Sequence, residues 1–204
     1  LLKIESAPIS YPHYYYFASK NKMKKYILFG LVGGFILFFW QFLSNAALDF
    51  HRDFHRYTEH QDQITHYIDS LQLEEGSYMM PMYPSDLSPE EIEQYMNKKS
   101  GHSWIILQYH KNWEMEMLTP MLRGFAIDIL VAMMLLYIIT QLKDNSLKKS
   151  VLIVTMIGFT GFLTISYLNF IWYKTPDIYA CLVDGIVPWA IVGAIGFKMK
   201  GNAS

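Results

Sequence analysis

Four runs of apolar residues divide this chain: Tyr26–Leu48, Leu118–Leu142, Val151–Trp172 and Ile178–Phe197. Each is long enough to cross a bilayer, which takes about 20 predominantly apolar residues as a helix. In lipid every backbone N–H and C=O must find its partner inside the protein, so such runs can only be helices. Charged residues make up 17% of the chain, below the soluble average of about 25%. The expected fold is therefore mainly α. It is a four-transmembrane-helix bundle with a small extracytoplasmic α/β cap inserted between helices 1 and 2.

The order along the chain follows. Residues 1–22 read as a disordered or non-native extension, because Lys22-Met23-Lys24-Lys25 directly before the first run resembles a natural start at Met23. Residues 23–48 form the first span, 49–117 the cap, and 118–204 the remaining three spans with a short cytoplasmic tail. A signal peptide cleaved near Ser44-Asn45-Ala46 is the alternative for the first run. Its apolar core, Ile27–Leu43, exceeds the usual 7–15 residues of such a signal, which favours a retained span.

Lysines set the orientation. Lys20, Lys22, Lys24 and Lys25 precede span one; Lys143, Lys148 and Lys149 join spans two and three; Lys198 and Lys200 follow span four. The turn between spans three and four carries only Lys174 with Asp177. Basic residues near span ends stay cytoplasmic, so both termini are expected on the cytoplasmic side. The segment Asp49–Met117 is then outside. It holds 13 acidic and 5 basic residues, a formal charge of −8, which argues against nucleic acid as a partner. Trp40, Tyr167, Trp172, Tyr173 and Tyr179 at the span ends suit interfacial anchoring.

The loop has the pattern of a folded unit. Phe50, Phe54, Tyr57, Ile64, Ile68 and Leu71 recur at helical spacing, which predicts a helix continuing out of span one and ending near Gly76. Ser77–Tyr83 reads as a strand. Ser88-Pro89-Glu90-Glu91 predicts a capped helix running to about Lys99, and Ser103–His110 a second strand.

Six of the seven histidines lie in this loop. On one helix His51, His55 and Glu59 share a face, and two imidazoles one turn apart with a carboxylate can hold a divalent metal. Arg52 stands where a zinc protease has its general base, so that chemistry is not implied. The competing readings are a solvated helix flank and a pH-sensing cluster. No other cofactor is expected.

Charges inside the spans are the second signal. Arg123 lies five residues past Leu118 and Asp184 six past Ile178. At about 1.5 Å per residue both sit roughly 8–9 Å from the outer face, so an Arg123–Asp184 ion pair is expected. Asp128 lies deeper, on a face with Gly124, Ala132 and Leu135, and has no evident partner. Gln41, Ser44 and Asn45 near the outer end of span one, and Ser166 and Asn169 near that of span three, add polarity to the same outer half, and together these residues outline an outward-facing polar pocket. Intramembrane ionisable groups are functional candidates by default, although an ion pair can also simply fix helix register. Cys181, the single cysteine, excludes an internal disulfide and reads as a small buried residue. Gly185 and Pro188 predict a kink beside Asp184. Glycines in spans one, three and four suit close helix contacts.

Residues 30–44, Gly-Leu-Val-Gly-Gly-Phe-Ile-Leu-Phe-Phe-Trp-Gln-Phe-Leu-Ser, are followed by a histidine-bearing segment and by Gly76-Ser77-Tyr78-Met79-Met80-Pro81. This pattern resembles an uncharacterised family of small bacterial four-span inner-membrane proteins. The resemblance implies location and topology and transfers no functional residue. The loop position is also similar to that of claudin-like four-span proteins, whose cysteine pair is absent here. The expected function is a non-enzymatic accessory or interaction protein. Its partners would be the bilayer and another membrane or periplasmic protein, or a second copy of the chain. The alternative is a small transporter, channel or sensor built on Arg123, Asp128 and Asp184.

Overall fold

The computed structural model describes residues 12–143 and 146–201. Two compact units result, one of residues 1–56 with 117–204 and the other of residues 57–116.

The first unit contains four helices long and apolar enough to cross a membrane, Met23–Ala47, Leu118–Gln141, Leu147–Tyr173 and Ile178–Lys200. Helix α1 covers Pro12–Phe42 and passes into a π-helical turn, Leu43–Ala47. Of the expected extension at residues 1–22, residues 1–11 lie outside the described residues; from Pro12 the backbone is helical and continuous with α1. Helix α4, Leu118–Gln141, is uninterrupted. The third span is α5 (Leu147–Gly161), a π-helical stretch Phe162–Tyr167, and α6 (Leu168–Tyr173). The fourth is broken as expected: α7 (Ile178–Asp184) stops at Gly185 and α8 (Val187–Gly201) begins two residues later.

Helix α1 packs along α4 and α8, and α8 packs on α5. Phe29, Leu37, Ala132, Leu135, Leu136, Ile139, Val154 and Val192 form the buried core. Helices in lipid gain little from hydrophobic exclusion and associate by close packing at small residues. Gly34 illustrates this, since a Cβ there would stand 2.7 Å from the Ile129 amide nitrogen. Most of the remaining apolar side chains of the spans, among them Leu28, Phe35, Leu130 and Met134, face outward.

The lysine-bearing ends come together. Lys25 Nζ donates to Lys200 O (3.1 Å), and Lys200 Nζ donates to the terminal carbonyls of α4, Ile139 O (3.1 Å) and Leu142 O (2.9 Å). A lysine satisfying the last carbonyls of a helix is a common C-terminal device. The start of span one and the ends of spans two and four therefore share one end of the bundle.

The second unit follows the expected order helix, strand, helix, strand, with shifted boundaries. Helix α2 is Gln61–Ser70, β1 Gly76–Met80, α3 Pro89–Lys99 and β2 Ile105–Tyr109. The strands pair antiparallel, with Gly76 opposite Tyr109 and Met80 opposite Ile105. Strand β1 ends before Pro81, which has no N–H for the ladder. The Ser88 cap is as expected: its Oγ accepts from Glu91 N, and the Glu91 carboxylate accepts from Ser88 N. Tyr109 Oη donates to Asp69 Oδ1 (2.8 Å), fastening β2 to the end of α2.

The helix expected to continue from span one through Leu71 does not form. Asp49 adopts a left-handed conformation (φ 52°), a short 3₁₀ turn covers Arg52–Phe54, and regular helix resumes only at Gln61. Helix α2 ends at Ser70, before left-handed Gln72 and well short of Gly76.

Candidate functional site

The site begins where span one stops. The π turn ends with Leu48 N on Leu43 O (2.8 Å) and Phe50 N on Ser44 O (3.0 Å). Left-handed Asp49 then reverses the chain, so the His51 imidazole folds back onto span four.

Span four meets it with one face. Asp177, Cys181 and Asp184 stand at positions i, i+4 and i+7, which fall on the same side of a helix with 3.6 residues per turn. His51 lies between the two carboxylates: Nδ1 is 2.6 Å from Asp177 Oδ2 and Nε2 is 2.8 Å from Asp184 Oδ2. The second oxygen of Asp184 accepts from Trp40 Nε1 (2.8 Å) and Ser44 Oγ (2.7 Å). Ser44 is fully buried, held on the π turn one helical turn beyond Trp40. Cys181 Sγ lies 3.7 Å from Asp177 Oδ2. The donor atoms of His51, Asp177 and Cys181 all lie within 4.8 Å of one another.

Burial of the imidazole works against its charged form, but the hydrogen bonds and negative charges of Asp177 and Asp184 outweigh that penalty. The His51 pKa is therefore raised above 6.5. The result is a carboxylate–imidazolium–carboxylate bridge joining the end of span one to span four. Hydrogen bonds of this charge-assisted kind are short and roughly twice as strong as neutral ones.

One turn of α1 serves two partners. Trp40 and Ser44 address Asp184, while Gln41 Nε2 donates to Asp128 at 3.1 Å (Oδ1) and 3.3 Å (Oδ2). Asp128 is buried beside Ala132 and Leu135, on the face expected for it, but it has in Gln41 the partner that the sequence did not reveal.

Other expected site residues are placed differently. The Arg123–Asp184 ion pair is not formed. Asp184 is taken by His51, Trp40 and Ser44, and Arg123 is exposed with no ion pair among the described residues. Equal depth did not bring the two together because azimuth decides contact: α4 packs on α1 and α8, whereas α7 packs on the π stretch of span three. The stripe of His51, His55 and Glu59 is absent because no continuous α-helix runs through these positions, only the short 3₁₀ turn Arg52–Phe54. His55 instead stands edge-on to Phe54, and Glu59 is exposed, 3.7 Å from His60. Asn45 donates to the Gln41 carbonyl of its own helix (2.9 Å), and Asn169 is exposed on α6. Asp177 is the member of this cluster that reading the spans overlooked. Its signal was the shared face with Asp184.

No protein-family model, curated protein or solved structure matches this chain. The meaning of the site rests on its own geometry and chemistry.

Proposed function

We propose that this chain is a non-enzymatic accessory or interaction protein of a bacterial inner membrane. Both termini are cytoplasmic, and residues 57–116 form an extracytoplasmic docking unit. The observation that carries this reading is the state of that unit. Among its residues none is fully buried, while Trp113 is 90% and Met115 87% exposed. Its sheet has only two strands, and a two-stranded sheet is marginal on its own in water. Exposed aromatic and methionine side chains of this kind are what protein interfaces use as anchors. The lysines gathered where span one begins and spans two and four end support the orientation through the positive-inside tendency.

The test is purification of the full chain in gentle detergent from its host, with mass spectrometry of co-eluting proteins. A stoichiometric partner lost in a Trp113→Glu/Met115→Glu variant supports the reading. A particle of this chain alone contradicts it.

A second reading, a small transporter or sensor, draws on the buried Asp128–Gln41 contact and on the His51 bridge. Under that reading Asp128→Asn abolishes flux or response in proteoliposomes while the protein still folds.

A further inference from the structure

We propose that the outer end of the bundle is a binding site for a divalent transition metal, zinc by its donor chemistry. The ligands are His51 Nδ1, Asp177 Oδ2 and Cys181 Sγ, with Asp184 as the carboxylate that orients the imidazole.

The donors converge from two segments. His51 arrives from the turn after span one, and Asp177 and Cys181 stand one turn apart at the start of span four, with Cys181 N bonded to Asp177 O at 3.1 Å. Their donor atoms lie within 4.8 Å of one another. A nitrogen, a carboxylate oxygen and a thiolate sulfur form a borderline-soft set that suits zinc, and three protein ligands leave a fourth position open to water or a ligand. The 3.7 Å between Cys181 Sγ and Asp177 Oδ2 already matches two ligands of one tetrahedral ion. The 2.6 Å between His51 Nδ1 and Asp177 Oδ2 is the separation of groups sharing a proton. Metal–ligand bonds of about 2.0 Å would widen it to about 3.3 Å, a small rotation of the Asp177 carboxylate. Binding sends that shared proton and the Cys181 thiol proton to solvent, because metal ligands bind deprotonated.

Independent support comes from the far side of the imidazole. Metal-ligating histidines nearly always donate their other ring N–H to a carboxylate or carbonyl, which fixes tautomer and ring angle. Here Asp184 Oδ2 is 2.8 Å from Nε2, and Asp184 is itself fixed by Trp40 Nε1 and Ser44 Oγ on its other oxygen. That network holds Nδ1 toward Asp177 and Cys181, and Nδ1 becomes a ligand once its proton has left. Nearby cations are engaged elsewhere: Arg52 with Asp49 (2.7 Å), Arg56 with Asp53 (2.7 Å), and Lys174 over the Phe170 ring.

The test uses the purified full-length protein in detergent, stripped with a chelator and equilibrated with zinc or cobalt(II). One zinc per chain is expected, together with a thiolate-to-cobalt charge-transfer band. Cys181→Ser removes the band, and Asp184→Asn weakens zinc binding about 10–100-fold while the band persists. Zinc below stoichiometry overturns the proposal. So does a cobalt spectrum without the thiolate band, which is the result expected if the other loop histidines bind the ion. Because the wild-type spectrum is decisive alone, a variant that fails to fold does not blunt the test.

Discussion

His51 Nε2 stands 2.8 Å from Asp184 Oδ2, across 133 residues of sequence, and this contact ties the end of span one to the end of the first half of span four. Trp40 and Ser44 complete the Asp184 carboxylate from the helix preceding His51, so a single stretch of chain supplies all three of its donors. The fourth span breaks immediately after Asp184, at Gly185. The break is packed: a Cβ on Gly185 would stand 2.9 Å from the Phe162 Cβ.

Removing one member of this bridge strands the others. Replacing His51 with Ala leaves two carboxylates facing one another without their shared cation. A fully buried pair would lose about 3–5 kcal/mol. With side chains 15% and 29% exposed, solvent reduces this to about 1–3 kcal/mol. Thermal unfolding in detergent, followed by tryptophan fluorescence, measures the loss.

The bridge makes stability fall with alkalinity. Its imidazole pKa is raised in the folded chain, so its contribution is complete below the unfolded value of about 6.5 and is lost as pH rises through the higher folded value. In chelator-treated protein the melting temperature should decline across that window. His51→Ala should flatten the decline, and an unchanged slope in the variant would assign the pH dependence to other groups.

Gln41 should matter for folding through Asp128. Gln41→Leu deprives a buried carboxylate of its donor, a loss of about 1–3 kcal/mol. The double variant Gln41→Leu/Asp128→Leu should recover much of it, since no polar group is then stranded. Denaturant titration of all three proteins provides the comparison.

Two glycines should respond in opposite ways. Gly34→Ala forces a methyl against the Ile129 backbone and should cost about 1–3 kcal/mol. Gly124 has nothing within 4 Å of where its Cβ would stand, so Gly124→Ala should be neutral or stabilising by up to about 1 kcal/mol. Paired melting curves separate them.

Much of this architecture was legible because lipid leaves the backbone few choices. Run length located the four spans, Gly185 and Pro188 marked the break in the fourth, and Ser88 with Glu91 announced α3. The site was less legible. Depth along a helix follows from counting residues, but direction around the bundle depends on which helices touch, and that separated Arg123 from Asp184. The helix expected through His51, His55 and Glu59 failed because left-handed Asp49 turns the chain, and periodic apolar residues carry no sign of it. Asp177, Cys181 and Asp184 fall on one helical face, a spacing that reading the spans passed over, and their partner His51 lies beyond the reach of local spacing.

We propose that residues 57–116 dock another protein outside the membrane. A photo-crosslinking residue at Trp113, activated in native membranes, tests it most directly. One discrete adduct with a different protein is expected, lost when Met115→Glu is added. Adducts with lipid or with this chain alone would contradict it.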